Sequence, residues 1–200
     1  MLKVGMVLGH LISDKGIQVD AAKIEIILSL PIPKTQMEVR GFLGHAGYCR
    51  RFIENFSRRN TPLFRILARD SEFSSSTNCQ QPFETLKGKL VQAPILRGPN
   101  WSLAIHISSD ASDTTIGTTL GQEEDKQSYA IYFISKNLSP AELNYTVTEK
   151  EFLAVIFSIN KLRNYIIGYE VFVHTDHSTI IYLMNKQLTS GRVTRWLLLL

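Results

Sequence analysis

The chain has 200 residues, 44% of them hydrophobic and 10% aromatic, enough apolar material to bury a core in one or two domains. It has no long apolar run, and its N-terminus MLKVGMVLGHLISDKG lacks the charged region, apolar centre and cleavage pattern of a signal peptide, which argues against a membrane or secretory role and for an intracellular protein, cytoplasmic or nuclear. The net charge of +4 divides unevenly, with 14 basic and 8 acidic groups in residues 1–99 against 8 and 10 in residues 100–200, so the first half suits a polyanion that releases counterions on contact.

The first half reads as helices separated by breakers. VDAAKIEIILSLPIP starts from Asp20 as N-cap, carries Ile24, Ile27 and Leu28 at helical spacing, and ends at Pro31 and Pro33. A second helix is expected from Thr35 or Gln36 through MEVRGFLGHAGYCRRFI, with an apolar stripe of Val39, Leu43, Ala46 and Tyr48. Gly41, Gly44 and Gly47 weaken it in isolation by about 1 kcal/mol each and suggest close approach by another backbone. TPLFRILARD and FETLKGKLVQAP read as two further short helices joined by the polar segment SEFSSSTNCQQP. Cys49 and Cys79 lack CxxC spacing, which supports neither a disulfide framework nor a cysteine zinc site.

The character changes near Pro94 to Pro99. From Trp101 the order is strand LAIHIS, turn DASD, strand TIGTTLGQ, acidic turn EEDKQ, strand YAIYFIS, a long helix, strand YEVFVHT and a helical segment. This predicts a mixed sheet with one antiparallel meander and one crossover. Thr146 and Glu149 form a T-x-x-E capping box for the long helix, whose stripe of Phe152, Val155, Ile156, Ile159 and Ile166 ends at Gly168. Glu151 lies about 200° round from Glu149, at the margin of the buried face. A register capped by Thr148 would instead make Glu151 the capping glutamate.

Asp110 and Asp176 each end a strand. If those strands lie side by side in parallel, both carboxylates emerge at one carboxyl-terminal edge, where open α/β sheets place ligands, and the helix brings Glu151 toward it. Three converging carboxylates suit Mg²⁺ or Mn²⁺ shared with a phosphate, and a pair of such ions would polarise a phosphodiester and activate water. The competing reading of DASD is an Asx-type turn in which Asp110 and Asp113 cap backbone amides. His174 and His177 flank Asp176, but a hard-cation site needs no imidazole.

The motifs DASDTTIGTTLGQ, IYFISKNLSPAELNYTVTEKEFLAVIFSINKLRNYIIG, VFVHTDHSTIIYLMNK and RVTRWLLLL resemble the RNase H region of Pol polyproteins from gypsy-type LTR retrotransposons. The earlier GHLISDKGIQVDAAKIEIILSLPIPKTQMEVRGFLGHAGYCRRFIENFSRRNTPLF resembles the reverse-transcriptase segment that follows the palm in the same polyproteins. The resemblance implies an RNase H-like α/β mixed sheet with a crossover helix over residues 95–200, incomplete at its C-terminus. A mostly helical palm-end, thumb and connection segment over residues 1–94 precedes it. It further implies two-metal hydrolysis of the RNA strand of an RNA/DNA hybrid with Mg²⁺ or Mn²⁺, at Asp110, Glu151 and Asp176, with Glu149 left as the cap. Hybrid selectivity would come from backbone geometry and the 2′-hydroxyl. Arg50, Arg51, Arg58 and Arg59 are the candidate phosphate contacts.

Departures from the family pattern qualify the activity. The polymerase Tyr-x-Asp-Asp turn is absent, and the fourth RNase H carboxylate is expected beyond Leu200, so turnover by this chain is expected to be weak or absent. The alternative is a non-catalytic remnant with residual nucleic-acid binding. Ser75, Pro82, Cys49 and the Thr118–Thr119 pair replace the residues usual in the family, a pattern that looks like drift.

Overall fold

The computed structural model describes residues 4–67, 77–178 and 180; the expected helical segment after 180, the RVTRWLLLL motif and Ser75 lie outside them. The chain begins with an element its sequence did not announce, an antiparallel meander of β1 (Val4–Val7), β2 (His10–Ser13) and β3 (Gly16–Val19). Leu8 and Gly9, at φ of 48° and 70°, turn β1 into β2, the two positive values that a tight hairpin needs. Two capped helices follow. Asp20 accepts from the Ala22 amide to start α1 (Ala21–Ser29), and Thr35 accepts from the Glu38 amide to start α2 (Gln36–Tyr48).

Helix α2 buries Val39, Phe42, Leu43 and Ala46, as its stripe requires, whereas α1 buries only Ile27 and leaves Leu28 exposed. No atom lies within 4 Å of where a side chain would begin at Gly41, Gly44 or Gly47. The close approach expected from their spacing is therefore not there: Gly41 and Gly44 are exposed, and Gly47 is half-buried at the margin of the packed stripe. A 3-10 turn (Arg50–Phe52), α3 (Phe56–Arg59), α4 (Thr61–Ile66) and α5 (Thr77–Val91) complete the helical part. Helix α5 starts earlier than FETLKGKLVQAP suggested, so TNCQQP is helical and Pro82 sits inside the helix, where it cannot donate a backbone hydrogen bond.

The second sheet has the expected topology. Strands β4 (Ile105–Ala111), β5 (Thr115–Glu124) and β6 (Gln127–Asn137) form an antiparallel meander, and β7 (Val171–His174) pairs parallel to β4, in the order β6-β5-β4-β7. A short α6 (Pro140–Leu143) precedes the crossover helix α7 (Val147–Ile166), whose N-terminus has the complete Thr146–Glu149 capping box. Thr148 is therefore inside the helix, and the register that made Glu151 the capping residue does not occur. Helix α7 ends just before Gly168, whose φ of +85° reverses the chain into β7.

Side chains alternate across this sheet. Ile105, Ile107, Ile116 and Leu120 face α7 and pack with Ala154 and Leu162. The opposite face takes His106, Ser108, Asp110, Gly117 and Thr119, and there the helical part docks. The Ser57 amide donates to Ser135 Oγ at 2.9 Å, joining α3 to β6. Leu96 bridges to Ile17 of β3 through two backbone bonds of 2.7 and 3.0 Å, and the next amide, of Arg97, donates to Ala130 of β6. One strap thus ties both sheets together.

Candidate active site

The parallel pairing of β4 with β7 sets Ser108 opposite His174. Asp110 and Asp176 each lie two residues past that last β4–β7 pair, at the carboxyl-terminal side of the sheet. Asp110 is the penultimate residue of β4, paired with Gly117 across the antiparallel ladder, and Asp176 follows β7 by two residues; both are exposed. Glu151, in the second turn of α7, is buried at 6% exposure. Its Oε1 accepts from the Ala111 amide at 3.2 Å, while its Oε2 is buried with no hydrogen-bond partner.

Burial pushes the Glu151 carboxyl above its ordinary range, and the negative charges of Asp110 and Asp176 push it further; the Ala111 amide and His177 act the other way. The charges of Asp110 and Asp176 are thus felt at Glu151. The donors are hard oxygens, and Glu151 Oε2 is an orphaned acceptor inside the site, both of which fit a hard dication. Among the described residues no three His, Cys, Asp or Glu side chains are grouped closely enough to hold a metal ion. So the carboxylates fit a metal in donor type and stand in an open arrangement, not a closed cage.

The turn after β4 is not the Asx turn weighed from DASD. Ser112 Oγ accepts from the Thr115 amide at 3.1 Å, and Asp113 is exposed. The backbone oxygen of Asp113 instead accepts from Lys150 Nζ at 3.0 Å. Lys150 is itself buried at 8% exposure, so it clamps the turn carrying β4 into β5 onto the start of α7. Sequence reasoning missed this residue, because the carbonyl it meets lies 37 residues away in the chain.

His174 is exposed and shares a 2.9 Å hydrogen bond with His106 on the neighbouring strand, on the face away from α7. The four arginines separate. Arg50 is exposed; the Arg51 guanidinium lies 4.4 Å from the Tyr132 ring centre, packed against β6. Arg58 is exposed, and Arg59 is half-buried with its Nε donating to the Glu54 carbonyl at 3.0 Å. Cys49 is buried and free, its pKa pushed up to about 11 by burial.

A mixed sheet with an antiparallel meander, a crossover helix and a parallel fourth strand is the RNase H-like fold. The chain belongs to the family of the RNase H-like domain found in reverse transcriptase, whose model matches residues 100–200. That family's activity is hydrolysis of RNA in RNA/DNA hybrids, and its RNase H-like domains are metal-dependent. The chain is similar to the retrovirus-related Pol polyprotein from transposon 297 of Drosophila melanogaster, 32% identical over 94% of this chain and 18% of the relative. It is also similar to the transposon Tf2-3 polyprotein of Schizosaccharomyces pombe, 34% identical over 96% of this chain and 15% of the relative. The chain thus spans under a fifth of either polyprotein. The foamy viral protease-reverse transcriptase in complex with an RNA/DNA hybrid shares the fold, at a TM-score of 0.79 and 20% identity over 98% of this chain and 27% of that one. Among the described residues no helix is long and apolar enough to cross a membrane.

Proposed function

We propose that this chain is the RNase H-like part of a retrotransposon Pol polyprotein together with the adjoining end of its reverse transcriptase, and that it hydrolyses the RNA strand of RNA/DNA hybrids. Residues 1–94 are the reverse-transcriptase segment in this reading and residues 95–200 the hydrolase. The observation that carries it is the buried Glu151, with one unpartnered oxygen, in the field of Asp110 and Asp176. A carboxylate destabilised in this way is relieved by taking up a proton or by a cation, and only a cation also offsets the charges of Asp110 and Asp176. Asp110, Glu151 and Asp176 would hold Mg²⁺ or Mn²⁺, and such ions, when bound, polarise a phosphodiester, activate a water and stabilise the leaving oxygen.

The protein's own contribution is positioning. The Ala111 amide fixes one oxygen of Glu151, the parallel pairing of β4 with β7 sends both chains toward the same edge ahead of Asp110 and Asp176, and Lys150 holds the turn after β4. Arg50, Arg51, Arg58 and Arg59 supply positive charge for a phosphate backbone, Arg50 and Arg58 from exposed positions and Arg51 from its seat on Tyr132.

The test is cleavage of an end-labelled RNA/DNA hybrid in Mg²⁺ or Mn²⁺. Asp110→Asn is expected to lower the rate by about 100-fold or more, since several kcal/mol of charge stabilisation depend on the ligand set. The open arrangement of the carboxylates favours a second reading, a remnant that binds hybrids without cutting them. Hybrid binding with no cleavage in either metal would establish that second reading and end the first.

A further inference from the structure

Beside the carboxylate edge, a cleft of about 440 Å³ opens between α3 and α5, lined by Asn55, Arg58, Arg59, Gln81, Pro82 and Thr85. Two of the six lining side chains are cations and none is acidic. Neither arginine has an ion-pair partner among the described residues. The bond from Arg59 Nε to the Glu54 carbonyl orients that guanidinium and leaves its outer nitrogens for another acceptor. The cleft wall at Pro82 offers no backbone N–H, and Thr85 Oγ1 is already donated to the Gln81 carbonyl at 2.7 Å. Side-chain cations and amides therefore provide its recognition chemistry.

Its position gives it a role. Asn55 holds a left-handed backbone, φ 54°, and its side-chain oxygen presses on Gly117 of β5, where any Cβ would collide with it. Gly117 is the direct cross-strand partner of Asp110. Opposed residues of an antiparallel pair have Cα atoms about 4.5–5.5 Å apart and project to the same face. Asn55 thus stands one strand spacing from Asp110, and the cleft begins there.

We propose that this cleft binds one backbone phosphate of the nucleic-acid strand engaged by Asp110, Glu151 and Asp176, with Arg58 and Arg59 as its charged contacts and the amides of Asn55 and Gln81 as its neutral ones. The proposal rests on the hydrolase reading above. It divides the four arginines: Arg58 and Arg59 form a phosphate site, whereas Arg51 is held on Tyr132 and Arg50 lies outside the cleft.

The experiment is hybrid binding by the full chain in EDTA, followed by fluorescence anisotropy over a salt series. Arg58→Ala combined with Arg59→Ala lowers the slope of log K against log salt by about 1, the effect of losing one phosphate contact, and Arg65→Ala, outside the cleft, leaves the slope unchanged. A set of hybrids each carrying one uncharged methylphosphonate gives the second readout. One position weakens binding by the wild type and costs the double variant nothing further. Equal slopes for wild type and double variant, or methylphosphonate losses that are the same in both, overturn the cleft while leaving the hydrolase reading intact. A wild-type chain that binds no hybrid overturns both. Should the double variant fail to fold, Arg58→Ala alone, at an exposed position, carries the same test.

Discussion

At the scale of single residues, Glu151 shows how one site stores a cost that a ligand removes. Its folded-state pKa lies above the ordinary 4.5, first through burial and then through Asp110 and Asp176. A carboxyl raised in this way adds stability that is fully present below the unfolded pKa and is lost as pH rises through the folded value. Glu151→Gln removes the titration while keeping an oxygen for the Ala111 amide. In EDTA at neutral pH the variant should be the more stable protein. The gain should vanish below about pH 4.5. Urea midpoints measured from pH 4 to 8 check this, and a difference independent of pH would show that Glu151 does not carry the charge.

At the scale of elements, the departure at Thr118 proves to have a partner. Thr118 Oγ1 and Ser158 Oγ are 2.7 Å apart between β5 and α7, and both residues are buried, with Ser158 donating onward to the Ala154 carbonyl at 2.6 Å. Thr118 must therefore be the donor in the pair. Thr118→Val loses one hydrogen bond and costs about 1 kcal/mol; Ser158→Ala leaves a buried hydroxyl unpaired and costs about 1–3 kcal/mol. The two together should cost less than Ser158→Ala alone, because nothing polar is then stranded. Denaturant curves for the three variants measure it, and simple additivity would exclude a direct bond. Elements of this kind also explain what was readable in advance. Helix α7 has a local start signal at Thr146 and Glu149 and a long apolar period, and β4 to β7 have alternating runs, so the sheet and its crossover helix were legible in the sequence. The first meander did not, because strands of four residues show too little alternation and its first turn uses Leu8 at positive φ. Lys150 and Asn55 were equally silent, since the atoms they meet, the Asp113 carbonyl and Gly117, are brought to them only by folding.

At the scale of the whole molecule, the helical segment and the RNase H-like sheet share a core. Ala130 and Phe133 of β6 pack into the cluster built by Val39, Phe52, Leu63 and Phe83, and the Ser57–Ser135 pair is buried at the same seam. The sheet thus has α7 on one face and α3 on the other, and Gly117 of β5 is where Asn55, the residue that opens α3, meets the sheet. A methyl group there meets Asn55 and has to displace either α3 or the strand that carries Asp110. Gly117→Ala is expected to cost about 1–3 kcal/mol by overpacking. Asn55→Gly removes the obstructing side chain and suits the left-handed backbone at that position. In the Asn55→Gly background, the alanine should therefore cost much less, a coupling of 0.5 kcal/mol or more between segments far apart in sequence, roughly the threshold for residues in contact. A double-mutant cycle by thermal or urea unfolding measures that coupling. Additive costs would mean that α3 does not rest on β5, and two separate transitions would mean that residues 1–94 and 95–200 fold independently; a single transition with strong coupling makes the seam beside Asp110 part of one cooperative unit.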